Sequence, residues 1–505
     1  MPEIGQFHKA SQDRLDTHPR SAQQALTDTR ALVHPGVATA VLSAGGILVS
    51  LAQTLIVPLI VDLPRMFNTS VANASWIITV TLLAGAVATP VAGRLADMYG
   101  KKRILMVCLG AFVVGSAVSA TSSSLIPMVI GRGLQGVASG LVPLGIALMH
   151  EILPKERAGK AIAFMSSSMG IGGALGLPLA AAVAQFASWR FLFAAVGVAA
   201  LVVAAALAWL IPTIPVHRSG ARFDILGALG LAAGLVPLLL AISKGSDWGW
   251  ASLPTLGSMA GALLVLVLWG VYQSKRDEPL INLRTAVIPA VLITNLASIL
   301  FGFTMYAMNL LVPPVMQLPV ETGYGLGQSM VTMGLWMMPL GIGMMAVANL
   351  GAAISRNRGP RVTLIIAGLV IAAGYGATAA ILGTLGNRTA GPADHTEILI
   401  TLILLAAASV LVGTGIGLAF GAVPTLIISV VPASETAAAN GVNALMRSLG
   451  TTSASAVLGV LLATMVHSLS GSQIPTLNAY IFGLLLTTGL ALIASFLSAL
   501  IPTRK

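Results

Sequence analysis

The chain has 505 residues, of which 56% are hydrophobic and only 9% charged, and its mean hydropathy is +0.92. That balance excludes a soluble globular domain. The net charge of +11 does not point to nucleic acid either, because the excess Lys and Arg lie in short segments between apolar runs, and the single Cys108 excludes a disulfide framework.

Crossing roughly 30 Å of hydrocarbon takes about 20 apolar residues. Fourteen runs meet that need, over 37–64, 75–95, 104–121, 126–149, 160–185, 189–212, 225–243, 255–273, 287–315, 329–354, 362–384, 398–430, 440–466 and 477–501. The expected fold class is therefore an all-α polytopic membrane protein. Residues 1–36 precede the first run as a polar stretch with balanced charges, read as a disordered cytoplasmic tail without a cleavable signal. Pro58, Pro313, Pro314 and Pro424 fall inside apolar runs and mark places for a kink.

Lys and Arg near span ends are retained on the cytoplasmic side. With the amino terminus inside, 21 of the 27 fall in cytoplasmic segments, and the outer segments hold only Arg65, Arg190, Lys244 and Arg388. Both termini are expected in the cytoplasm of a multi-pass plasma-membrane protein. Arg132 and Arg447 lie inside spans.

The loop after the second span, Gly93-Arg-Leu-Ala-Asp97-Met-Tyr-Gly100-Lys101-Lys102-Arg103, holds one carboxylate among four cations. Its shortness keeps two spans adjacent, and its glycines permit close backbone approach. In the fourth span Arg132, Gln135 and Ser139 share a helical face, a polar stripe at depth. Charge there is costly and marks a functional residue by default. The competing reading of Arg132 is a guanidinium that only hydrogen-bonds carbonyls of neighbouring helices. Arg447 shares a face with Asn440 and Asn443, and reads equally as a cavity or gate residue or as a cation snorkelling to the interface.

No Asp, Glu or His stands at mid-depth, so Asp62 near the outer end of span 1 and Glu151 at the inner end of span 4 are the remaining titratable candidates. Each also reads as an interfacial end-cap. Nine of the 20 methionines fall between Met305 and Met345, interleaved with Phe303, Tyr306, Asn309 and Trp336 and including Met337. Such thioethers suit a promiscuous substrate cavity, or simply pack spans 9 and 10. No metal-ligand constellation, His-Glu-x-x-His or phosphate-binding Gly-x-x-x-x-Gly-Lys loop occurs, which argues against an enzyme or an ATP-driven pump.

The spans repeat. Pro143 with the following Pro154-Lys-Glu-Arg matches Pro424 with Pro432-Ala-Ser-Glu, and Gly93–Arg103 aligns with residues 352–361, Asp97 facing Arg356. The expected organisation is an N-terminal six-helix bundle (37–212), two inserted helices (225–273) without a polar stripe and read as peripheral, and a C-terminal six-helix bundle (287–501). Two halves of like direction form a parallel repeat about a midplane cavity.

The first loop resembles the signature of the major facilitator superfamily at Gly93, Leu95, Ala96, Asp97, Gly100, Lys101 and Lys102. Arg132-Gly-Leu-Gln135-Gly136 resembles its Arg-x-x-Gln-Gly motif, and Gly172-Gly-Ala-Leu-Gly176-Leu-Pro178 is similar to its exporter motif. The chain looks like a fourteen-span drug:proton antiporter. Where that branch commonly carries an aspartate in span 1, this chain has Gln53.

The resemblance implies export of amphiphilic small molecules by alternating access, no cofactor, and protons as coupling ion. Gly93, Asp97, Gly100, Lys101, Arg103 and Pro178 would gate, with Asp97 latching onto the start of span 13. Arg132, Gln135, Arg447, Asn443, Gln53, Asp62 and Glu151 would serve coupling or the cavity. The expected partners are substrate and lipid bilayer, without nucleic acid, around a monomer. The alternative is an exporter or importer of an endogenous metabolite such as an amino acid, lipid or siderophore.

Overall fold

A computed structural model of the chain describes residues 34–56, 59, 63–186, 188–213, 222–385, 395–469 and 472–502. Asp62, Pro58, Arg388 and most of the expected N-terminal tail lie outside them. Among the described residues, fourteen helices are long and apolar enough to span a membrane. They are α1 (Pro35–Thr54), α2 (Trp76–Tyr99), α3 (Lys101–Thr121), α4 (Leu125–Ile152), α5 (Lys155–Phe186), α6 (Trp189–Leu210) and α7 (Ile225–Trp248). The series continues with α8 (Leu253–Ser274), α9 (Pro289–Gln317), α10 (Met330–Arg358), α11 (Pro360–Leu385), α12 (His395–Val430), α13 (Thr436–Thr464) and α14 (Leu477–Ala499).

Local chemistry sets the helix ends. Ser252, Ser329, Thr476 and Asp224 accept backbone N–H groups at the starts of α8, α10, α14 and α7. Gly100, at φ 100°, is both the last cap of α2 and the first of α3, so the chain reverses with no residue to spare.

Three boundaries differ from the sequence reading. The first helix stops at Thr54, well short of residue 64, and α4 contains a 3-10 turn at Ala138–Gly140. After α13 the chain forms an antiparallel hairpin, β1 (Val466–Leu469) with β2 (Ser472–Pro475), in a chain expected to be wholly helical. The Tyr324 hydroxyl donates to the Pro475 carbonyl and ties this hairpin to the α9–α10 connection.

The buried apolar side chains separate by half. One cluster draws on residues 38–211 plus Ala437, the other on residues 290–501. Helix α2 packs along α13, and α5 packs along α10 and α12, so the halves meet at two seams. A third cluster joins Leu83 and Ala86 of α2, Leu445 of α13, and Leu231, Leu235 and Leu239 of α7.

The last cluster corrects the expectation that both inserted helices are peripheral. Leu231, Leu235 and Leu239 recur every four residues on one face, and that stripe fills the groove where α2 meets α13. Helix α8 is the outer member, with Leu253, Leu263, Leu264, Val267 and Leu268 exposed.

Candidate functional site

The face bearing the Gly93–Arg103 loop, the basic face, closes the α2–α13 seam. Asp97, at the last turn of α2, accepts the N–H of Ala438 at 2.9 Å and that of Ala437 at 3.4 Å. The first turn of a helix has unpaired N–H groups and a partial positive charge, so a carboxylate there is both bonded and electrostatically favoured. Lys101 stands 3.7 Å from Asp97 and 3.0 Å from Glu151, bridging the two carboxylates.

One turn earlier, a Cβ on Gly93 would meet the Ala437 carbonyl oxygen at 2.6 Å. Only glycine lets the backbones approach so closely. Lys102 donates to the Ala208 and Ile211 carbonyls at the end of α6, and Arg103 is exposed, outside these bonds. Glu151 therefore sits in a surface ion pair at the basic face, with its side chain 33% exposed, and not at depth.

Arg132 is buried in α4, and its hydrogen bonds go to its own half. One guanidinium nitrogen donates to the Ala52 carbonyl of α1 and to Gln135 Oε1, both at 2.9 Å, while Nε reaches the Ile77 carbonyl of α2 at 3.4 Å. Gln135 Nε2 then donates to Ser116 of α3 at 2.8 Å, so four helices share the network. Gln53, Thr81 and Ser139 line the adjoining crevice, which has no room for a water molecule. The geometry is that of a cross-brace, and no carboxylate among the described residues pairs with Arg132.

Arg447 does not snorkel. Its guanidinium lies over the ring of Phe420 on α12, 4.7 Å from the centroid, and the residue stays partly exposed. On the same helix Asn443 is buried and donates to Asn295 Oδ1 at 2.9 Å and Ser298 Oγ at 2.8 Å, bracing α13 against α9.

Pro178 is buried at the other seam, where a Cβ on Gly334 of α10 would meet the Pro178 nitrogen at 2.9 Å. Phe303 and Met337 belong to the packed core of the C-terminal half, with Tyr306 and Trp336 against it. Asn309 donates to the Met305 carbonyl of its own helix at 3.3 Å. A cavity of about 230 Å³ lies at the basic face, lined by Arg94, Asn282, Asn295, Glu435, Ala438 and Val442 among others. None of the five aromatic, Asn and Met candidates of α9 and α10 lines it.

A family model described as Major Facilitator Superfamily matches residues 42–455. The chain belongs to that superfamily. Members are membrane transporters, not enzymes, and the fourteen helices make this one a multi-pass membrane protein. Among relatives, the tetracenomycin C resistance and export protein of Streptomyces glaucescens is 27% identical over 466 residues, covering 89% of this chain and 80% of the relative. The multidrug transporter protein MdtP of Bacillus subtilis is 27% identical over 307 residues, 60% of this chain and 55% of MdtP. For the relatives heading the comparison, the match spans 52% to 80% of their own length. The proton:xylose symporter XylE shares the fold at a TM-score of 0.64 and 16% identity, over 93% of this chain and 96% of XylE.

Two groups of residues at the superfamily seam escaped the sequence reading. Phe420 is one, since a phenylalanine in an apolar span carries no mark of holding a cation. The other is Glu435 with Asn282 and Thr285, whose carboxylate accepts the Asn282 amide at 2.9 Å and the Thr285 hydroxyl at 2.7 Å. The repeat of Pro432-Ala-Ser-Glu435 with Pro154-Lys-Glu-Arg was its only signal.

Proposed function

We propose that this transporter exports amphiphilic small molecules, drugs and antibiotics among them, across the plasma membrane by alternating access in exchange for protons. The basic face is cytoplasmic and both termini lie there, in keeping with its excess of Lys and Arg. One observation carries the reading: Asp97 of the N-terminal half caps the first turn of α13 in the C-terminal half, with Gly93 seated on the Ala437 backbone. A contact of this kind must break for the cytoplasmic side to open, which makes it a gate. The names of the export and resistance relatives support the direction and the class of cargo.

Arg447 supports neutral, zwitterionic or anionic amphiphiles, because its guanidinium lies over a ring and no carboxylate among the described residues neutralises it. The test uses inside-out vesicles with an acidic lumen and a panel of anionic, neutral and cationic fluorescent amphiphiles. Accumulation that collapses on adding a protonophore is expected, with the anionic members favoured. Asp97→Asn should lower transport about tenfold, the effect of losing one charge-assisted contact of a gate. Accumulation indifferent to the gradient would remove proton exchange. Higher cellular content of the dyes on expression would favour an importer of an endogenous metabolite.

A further inference from the structure

We propose that the α7–α8 insertion is a clamp on this gate, and that Glu435, Asn282 and Thr285 are positioning residues that hold the first turn of α13 where Asp97 caps it. Glu435 stands immediately before α13, and both its carboxylate oxygens are engaged by the segment joining α8 to α9: Oε1 accepts from Asn282 Nδ2 at 2.9 Å and Oε2 from the Thr285 hydroxyl at 2.7 Å. The α13 terminus is thus gripped from two directions, by Asp97 across the seam and by Glu435 from beneath.

That segment is itself fixed to the inserted pair. Gln273 Oε1 accepts the Ile281 N–H at 3.4 Å, and Gln273 Nε2 donates to Asp224 Oδ2 at 2.8 Å. Asp224 also takes the Tyr272 hydroxyl at 2.9 Å and the Gly227 N–H at 2.9 Å, so it caps α7 while binding α8. Burial pushes its carboxyl upward, yet these donors, with the Arg276 charge nearby, hold it below the usual carboxylate range. Leu280 and Ile281 are buried in the same apolar cluster as Leu231 of α7, Leu83 of α2 and Leu445 of α13.

At its far end the insertion is anchored to the other half, where buried Lys244 donates to Ser75 just before α2 and lies 6.0 Å from the Trp76 ring. The insertion therefore grips the C-terminal half at the basic face and the N-terminal half at the opposite face. When α2 and α13 part at the basic face, Glu435 keeps its partners and Asp97 loses its own. A helix terminus frays unless it is held, and a frayed α13 would offer Asp97 no fixed pair of N–H groups.

The proposal rests on the gate assigned to Asp97, and the experiment separates the two. A reporter Thr89→Cys, at a buried position of α2 facing Gly441, is placed in a Cys108→Ala background and labelled with a charged thiol reagent from the basic face of inside-out vesicles. Glu435→Ala and the double variant Asn282→Ala/Thr285→Val should each speed labelling about fivefold, the loss expected from two hydrogen bonds to a carboxylate in partial contact with water. Glu435→Gln keeps an acceptor for Asn282 and a polar partner for Thr285, and should stay within about twofold of the parent.

Faster labelling in Asp97→Asn with parental rates in Glu435→Ala overturns the clamp and leaves the gate. The reverse pattern removes Asp97 from the gate and with it the positioning role, leaving Glu435 as a direct tie on the seam, and parental rates in both overturn both. A second reporter, the native buried Cys108 of the N-terminal half kept in the absence of Thr89→Cys, should remain unlabelled throughout. Labelling there in both clamp variants would assign these residues to general stability and overturn the positioning role.

Discussion

The two intramembrane arginines share a residue type and a place inside a span, and they do opposite things. Arg132 is enclosed by its own half: two backbone carbonyls and Gln135 take its donors, and the crevice beside it excludes water. Arg447 reaches from α13 to α12, covers an aromatic face, and keeps part of its surface open. A cation at depth is costly in either place. The difference is who offsets the cost: fixed carbonyls take up the donors of one arginine, while the other has a ring face in their place and keeps its donors for a ligand.

Removing Arg132 should break the comparison most visibly. Arg132→Ala leaves the Ala52 carbonyl and Gln135 without a donor inside the bilayer and should destabilise the N-terminal half by about 3 kcal/mol, from two or three lost charge-assisted bonds. Arg132→Lys should recover little, because an ammonium lacks the planar fork that reaches α1, α2 and Gln135 together. The check is the thermal midpoint of purified protein in detergent. A variant that is fully stable yet inactive would return Arg132 to the cavity.

Arg447→Ala is expected to do the reverse. Its stability should stay within about 1 kcal/mol of the parent, since only a cation–π contact is lost. Transport of anionic amphiphiles should fall about tenfold, expressed mainly in KM, because a charge partner worth about 1.4 kcal/mol is removed from the ligand. Neutral amphiphiles should be affected much less. Equal losses across charge classes would make Arg447 a second brace.

How much of this could be read from residues alone follows the same division. Fourteen apolar runs fix fourteen helices, because hydrocarbon leaves backbone polar groups few other ways to be satisfied. The Asp97 contact was anticipated only through the resemblance of its loop to the superfamily signature, which implies a latch onto the start of span 13; nothing in the residues alone pairs Asp97 with Ala437 and Ala438. The place of α7 was not legible. Its leucine stripe looks the same whether it faces lipid or a seam, and only the tertiary packing puts Leu231, Leu235 and Leu239 between α2 and α13. The methionines of α9 and α10 suited a cavity or a core equally, and Met333, Met337 and Met344 lie in the core. The roles of Arg132 and Arg447 depend on partners far away in sequence, so one stripe of polar residues predicted both outcomes.

The smallest expected effect sharpens the comparison most, because it tests the ring and leaves the charge in place. Phe420 is 1% exposed, so Phe420→Leu removes the π-face under Arg447 with a modest loss of volume. A ring in this position contributes about 1 kcal/mol to the guanidinium's placement. Without it the arginine gains rotamers, and a bound anion must order the side chain itself. KM for anionic amphiphiles should then rise about threefold to fivefold with the maximal rate unchanged, while Phe420→Tyr, which keeps a π-face, should restore KM in the same vesicle assay. An unchanged KM in Phe420→Leu would mean that Arg447 is held by its backbone, whose carbonyl abuts Gly302 of α9, and that the aromatic contact is incidental.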